Sequence, residues 1–153
     1  MDAITLLKAD HKIVAGLFKQ VADLGDTAHQ ARAKLFVKID HELTLHSQVE
    51  ESIFYPALKS KTKKGTEPSD EVLEAYEEHA NVKDMIKKLE SLEPSDETYN
   101  AKLQVLSELV KHHVKEEETK MFKQARRLLS ESELKTLGEK IELAKERALA
   151  GSR

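Results

Sequence analysis

Two stretches decide how this chain reads: LHSQVEESIFY at Leu45–Tyr55 and HHVKEEETKMF at His112–Phe122. Aligned on His46 and His113, 67 positions apart, both read His-x-x-x-Glu-Glu followed by two bulky residues. Residues four apart on a helix stand one turn apart on the same face, so His46 with Glu50, and His113 with Glu117, each point two ligating groups into one space. A second pair repeats at nearly the same offset. ADHKIVAGLF (9–18) aligns with EEHANVKDMI (77–86), each with an acidic residue just before a His, and His11 and His79 are 68 positions apart. The chain therefore reads as two helix hairpins related by a pseudo-two-fold axis, each giving one His from its first helix and a His-x-x-x-Glu pair from its second.

Gly and Pro stand mostly between the periodic stretches and divide the chain into five expected helices. The first runs over about 3–24, with Asp2 as N-cap and Gly25 as stop. The second covers about 27–60, with Pro56 expected to kink or break it. The third covers about 69–90 and the fourth about 95–129. A fifth, about 130–149, opens on a capping box at Ser130 and contains Gly138 as a weak point. In each of the first four a His interrupts an apolar stripe of helical period. Nothing reads as a strand. Short connections between long amphipathic helices predict an all-α, up-down-up-down antiparallel four-helix bundle. It comprises residues 1–129, in hairpins of about 3–60 and 69–129; residues 130–153 form a C-terminal helix and tail, packed outside the bundle or used in association.

Composition narrows the chemistry. With 153 residues, one core must carry both copies of the motif. There is no Cys, so any metal must be held by N and O. No apolar run approaches membrane-spanning length, and Lys8, Asp10, His11 and Lys12 interrupt the N-terminal segment, unlike a signal peptide; a soluble cytoplasmic protein is expected. The formal net charge is −3, with 25 basic residues scattered among 28 acidic ones, so neither nucleic acid nor a membrane is expected as a partner.

Burying two carboxylates among apolar side chains is costly unless positive charge compensates. A pair of metal cations meets that need. Four His and two Glu would converge on the bundle centre, with the two His of each hairpin serving one metal and the two Glu bridging both. Ligation by imidazole and carboxylate without thiolate suits iron, manganese or zinc, and bundles with inward Glu and His sets favour iron. A lone His in an apolar stripe is ordinarily a core residue; four at symmetric positions with two Glu are not. His29, His41 and His112 fall off this face and read as surface residues. Phe18, Phe54, Met121 and Phe122 read as packing that keeps the site dry.

Over about residues 4–128, His11, HSQVEE, the EEH ending at His79 and HVKEEE resemble the hemerythrin-like, or HHE cation-binding, family. The resemblance implies two irons, oxo- or hydroxo-bridged, with His11, His46, Glu50, His79, His113 and Glu117 as ligands. It also carries a departure. Oxygen-carrying hemerythrins place another His four residues beyond the third-helix His, where this chain has Lys83. They also use a carboxylate five residues beyond the fourth-helix His, which would select Glu118; the internal symmetry selects Glu117. Glu51, Tyr76, Lys83 and Glu118 are candidates for an additional ligand or an outer partner. A pair of irons with open positions suits O2, peroxide or NO chemistry, as scavenger, peroxidase-like enzyme or sensor, better than reversible O2 carriage. Iron storage or buffering and a metal-free structural bundle are the alternatives. A redox partner, or a homodimer through the C-terminal helix, is a further expectation.

Overall fold

A computed structural model describes residues 1–151; residues 152 and 153 of the expected tail lie outside the described residues. Among the described residues every regular element is helical. In chain order these are α1 (Ala3–Ala22), α2 (His29–Val49), a π-helical turn (Glu50–Phe54), α3 (Tyr55–Lys59), α4 (Glu67–Glu90), α5 (Tyr99–Glu116), a second π turn (Glu117–Met121), α6 (Phe122–Leu128) and α7 (Glu131–Gly151). The run α2–π–α3 is continuous and forms the second bundle helix; α5–π–α6 forms the fourth. Helix α1 packs most extensively on α2, and α4 on α5, so the two hairpins are the units of the bundle. No described helix is long and apolar enough to cross a membrane.

Local chemistry sets the helix ends. Asp2 Oδ1 accepts from Thr5 N–H at 2.8 Å and caps α1. Ser130 and Glu133 exchange side-chain-to-backbone bonds of 3.1 Å in both directions, the capping box expected at the start of α7. The fourth bundle helix starts at Tyr99, later than the expected Ser95. Asp96 Oδ1 there takes both Thr98 N–H (2.8 Å) and Thr98 Oγ1 (2.6 Å), which holds the segment in a turn.

Pro56 does not break the second bundle helix. Tyr55 N–H donates to Glu50 O, five residues back, and Pro56 follows inside the first turn of α3, where its missing N–H is tolerated. The matching turn after Glu117, with Phe122 N–H on Glu117 O, contains no proline. The π turn thus belongs to the repeated motif, and the proline is accommodated in the helical turn that follows it.

Gly138 is a point of close approach and not a weak point. A Cβ there would lie 2.2 Å from the Met1 carbonyl oxygen, because α7 crosses the chain's N-terminus at this residue. Helix α7 lies against α1, α2 and the first π turn, burying Leu134, Leu137 and Ile141 within the chain.

The core is two apolar clusters with a polar layer between them. One contains Ile4, Leu7, Phe54, Leu58, Val72, Met121, Phe122 and the α7 stripe. The other contains Val14, Phe18, Phe36, Ile39, Leu43, Val82, Ile86, Leu103, Leu106 and Val110. Between them lie His11, His46, Glu50, His79, His113 and Glu117, all buried.

Candidate metal centre

All six side chains picked out by the repeat meet in that layer. His11, His46, Glu50 and Glu117 can offer one ligand atom each within 4.8 Å of one another, and so can Glu50, His79, His113 and Glu117. Each hairpin supplies the two His of one group, and both Glu belong to both. His46 Nε2 and His79 Nε2 stand 3.0 and 3.1 Å from Glu50 Oε1; His11 Nε2 stands 3.0 Å from Glu117 Oε1, and His113 Nε2 3.3 Å from Glu117 Oε2.

Short distances do not make a satisfied hydrogen-bond network here. His11 Nε2, His46 Nε2, Glu50 Oε2 and Glu117 Oε1 are buried with no hydrogen-bond partner. Glu50 and Glu117 are 0% and 1% exposed. Folded chains rarely leave such atoms unpaired without a reason, and these four converge in the His11–His46 group as donors a cation would complete; the His79–His113 group offers the same kinds of donor, with its two Nε2 atoms 3.1 Å apart. The residues present therefore fit a pair of metal ions.

The outer nitrogens are all partnered. His46 Nδ1 bonds Asp10 Oδ2 at 2.8 Å, His113 Nδ1 bonds Glu78 Oε1 at 2.8 Å, His11 Nδ1 bonds Glu118 Oε2 at 2.6 Å, and His79 Nδ1 bonds Glu51 Oε2 at 3.0 Å. An ionised carboxylate only accepts, so each Nδ1 carries a proton and each Nε2 is turned inward. The pattern obeys the pseudo-symmetry. Asp10 and Glu78 brace a His of their own hairpin, whereas Glu51 and Glu118 reach across to the other hairpin.

Of the four candidate extra ligands, none enters the cluster. Glu51 and Glu118 hold outer nitrogens. Lys83 is 57% exposed and pairs with Glu51 at 3.3 Å, and the Tyr76 hydroxyl donates to the Glu51 carbonyl at 3.3 Å. The group that does enter is Tyr55, which the sequence presents as one of two bulky residues after the Glu pair. Its single hydroxyl proton is shared between Glu117 Oε2 and Glu50 Oε1, the latter at 3.1 Å, and the oxygen lies 3.1 Å from His79 Nε2 and 3.3 Å from His113 Nε2. The equivalent residue of the other copy, Phe122, stacks on the His11 ring at 5.8 Å and 6°. Tyr55, Asp10 and Glu78 are thus the residues that sequence reasoning left unassigned. The acidic residue preceding each of His11 and His79 was a signal for two of them; only the Tyr-for-Phe difference between the copies pointed to the third. His112, placed on the surface, is exposed but braces Glu78 at 3.3 Å.

The protein's own charges partly compensate the buried carboxylates. Burial works against a charged imidazole, yet Glu50 and the bond to Asp10 outweigh it and push His46 up to about 10. At His113 burial is likewise outweighed, chiefly by Glu117, and the value rises to about 12. Burial would raise Glu50, but His46 above all holds it well below the usual carboxylate range. Burial and the carboxylates of Glu50 and Glu117 raise the Tyr55 phenol, keeping it protonated unless a cation enters.

A narrow cavity of about 20 Å³ opens on the side of the layer away from Tyr55, walled by Val14, Leu43, Val82 and Val110 with the four imidazoles at its floor. It has room for one water-sized molecule.

Comparison with known proteins agrees with this fold. The profile of the Hemerythrin HHE cation binding domain matches residues 2–125. The crystal structure of a hemerythrin HHE cation binding domain-containing protein from Mycobacterium kansasii superposes with a TM-score of 0.80 and 26% identity, covering 98% of this chain and 91% of that one. A protein described as a DNA nickase, from Nostoc sp., is 26% identical over 145 residues, 95% of this chain; the chain spans only 39% of that relative's length.

Proposed function

This chain belongs to the hemerythrin HHE cation-binding domain family, and on that footing we propose that it holds two iron ions and handles O2, peroxide or NO at them. His11 and His46 would hold one ion, His79 and His113 the other, and Glu50 and Glu117 would be shared. The reading is carried by the meeting of six buried donors with the Tyr55 hydroxyl. The Tyr55 oxygen stands 3.1 and 3.3 Å from the Nε2 atoms of His79 and His113. It would be a fifth protein donor to that position, while the His11–His46 position has Phe122 in its place.

Bound iron would supply Lewis acidity and one-electron redox chemistry. The chain's own residues set the conditions. Glu51, Glu78, Asp10 and Glu118 fix the imidazole orientations. The valine and leucine walls admit a small uncharged molecule and exclude bulk water. The Tyr55 oxygen, held by two carboxylates, can keep its proton or give it up when a cation compensates. A hard anionic oxygen donor favours the trivalent over the divalent ion, which supports a reactive centre over a reversible carrier; the exposed placement of Lys83 removes the remaining candidate for a carrier-like fifth ligand on α4. An external redox partner would return the electrons. DNA cleavage stays with the Nostoc relative: this chain covers a minor part of it and carries a net charge of −3.

Anaerobic loading with Fe2+ should give about two irons per chain, and stopped-flow mixing with peroxide or O2 should oxidise them rapidly. One iron or none would refute the paired site. A stable oxygenated spectrum, reversible on removing O2, would return the protein to oxygen carriage.

A further inference from the structure

The carboxylates that brace the imidazoles are not equivalent, and the difference comes from α7. Asp10 and Glu78 occupy matching places in the repeat and accept from His46 and His113 at the same distance, 2.8 Å. Beyond them the match ends. Glu78 is also paired with His112, whose side chain is 67% exposed. Asp10 is closed over by the Lys145 ammonium, which bonds its other oxygen from α7, a helix with no counterpart in the repeat. The Lys145 and Asp10 side chains are only 23% and 7% exposed. A pair so shielded is less screened than the exposed pair of Lys83 with Glu51. Lys145 also continues the stripe of Leu134, Gly138 and Ile141, where an apolar residue would pack. An ammonium in that place costs desolvation that its partner must offset.

We propose that Lys145 is a positioning residue for the metal held by His11 and His46, acting through Asp10 on His46. This rests on the two-metal reading above. A carboxylate that accepts strongly from Nδ1–H raises the basicity of the inward Nε2. An ammonium on its second oxygen draws charge away, so Asp10 accepts less strongly and His46 is a poorer metal donor than His113. The docking of α7 thereby makes the His11–His46 position the more exchangeable of the two.

The test is a pair of substitutions, Lys145→Met, which keeps the apolar stem and removes the charge, and Lys145→Arg, which keeps the charge. The stepwise dissociation constants for Fe2+ are measured anaerobically by competition with a chromophoric chelator, and the His11–His46 ion is identified as the one lost in His11→Ala. Its dissociation constant should fall about tenfold in Lys145→Met and stay near the parent value in Lys145→Arg. A merely structural role gives the opposite sign, since a loosened Asp10 would weaken binding. Unchanged or weaker binding in Lys145→Met overturns the proposal. If that variant fails to fold, Lys145→Gln carries the same expectation and the same refutation. A parent protein that binds fewer than two ions would overturn the two-metal reading and this inference with it, whereas two ions with no response to Lys145→Met overturn this inference alone.

Discussion

Tyr55 and Phe122 occupy equivalent places in two copies of one motif, 67 positions apart, yet the Tyr55 oxygen lies 3.1 Å from Glu50 Oε1 inside the histidine–carboxylate layer while the Phe122 ring lies flat on His11. One hydroxyl breaks the symmetry of the donor set. Tyr55→Phe should leave two irons bound, but the ion at His79 and His113 should dissociate about tenfold more readily or worse. The oxidised protein should also lose a visible phenolate-to-iron band. Optical titration of both proteins checks this; an unchanged visible spectrum would place the phenol outside the coordination sphere.

Glu50 and Glu117 each belong to both groups of four. Glu50→Ala and Glu117→Ala should therefore lose both ions together, whereas His11→Ala should first lose the ion of its own hairpin. His41→Ala, on an exposed face, is the control. Elemental analysis after loading and dialysis gives the stoichiometries. Loss of one ion only from Glu117→Ala would show that the carboxylate is not shared.

The crossed bracing makes a more pointed demand. Glu118 lies in the second hairpin but holds His11 of the first, at 2.6 Å. Glu118→Gln should weaken the ion at His11 and His46 by about 10–100-fold and spare its neighbour. Glu51→Gln should do the reverse through His79. Stepwise affinities in the two variants decide it, and a loss confined to the mutated residue's own hairpin would contradict the crossing.

Gly138 tests the seat of α7. Adding a Cβ places it 2.2 Å from the Met1 carbonyl oxygen, a backbone atom, so Gly138→Ala must displace either the helix or the N-terminus despite its better helix propensity. Overpacking of this kind costs about 1–3 kcal/mol, and each kcal/mol lowers the midpoint of a chain this size by about 2–4 °C. Thermal unfolding of the metal-free protein is the measurement. A raised midpoint would mean that the contact yields easily.

The sequence by itself determined the helical class, the two hairpins and the inward set of His11, His46, Glu50, His79, His113 and Glu117, because helical period fixes which side chains share a face and an internal repeat shows which faces recur. It could also rank Glu117 over Glu118, since the internal repeat pairs Glu117 with Glu50. Periodicity stops at the single helix, however. That Glu118 braces a His 107 positions away and that Lys145 reaches Asp10 across 135 positions depend on how helices cross, which no local pattern encodes. The same holds for Tyr55. A straight α-helix would put a residue five beyond Glu50 about 140° from it. The widened turn at Glu50–Phe54 changes that register and, with Pro56 fitted into the turn after it, turns the hydroxyl into the polar layer. Pairing rules along the chain chose the six donors; packing between helices chose what surrounds them.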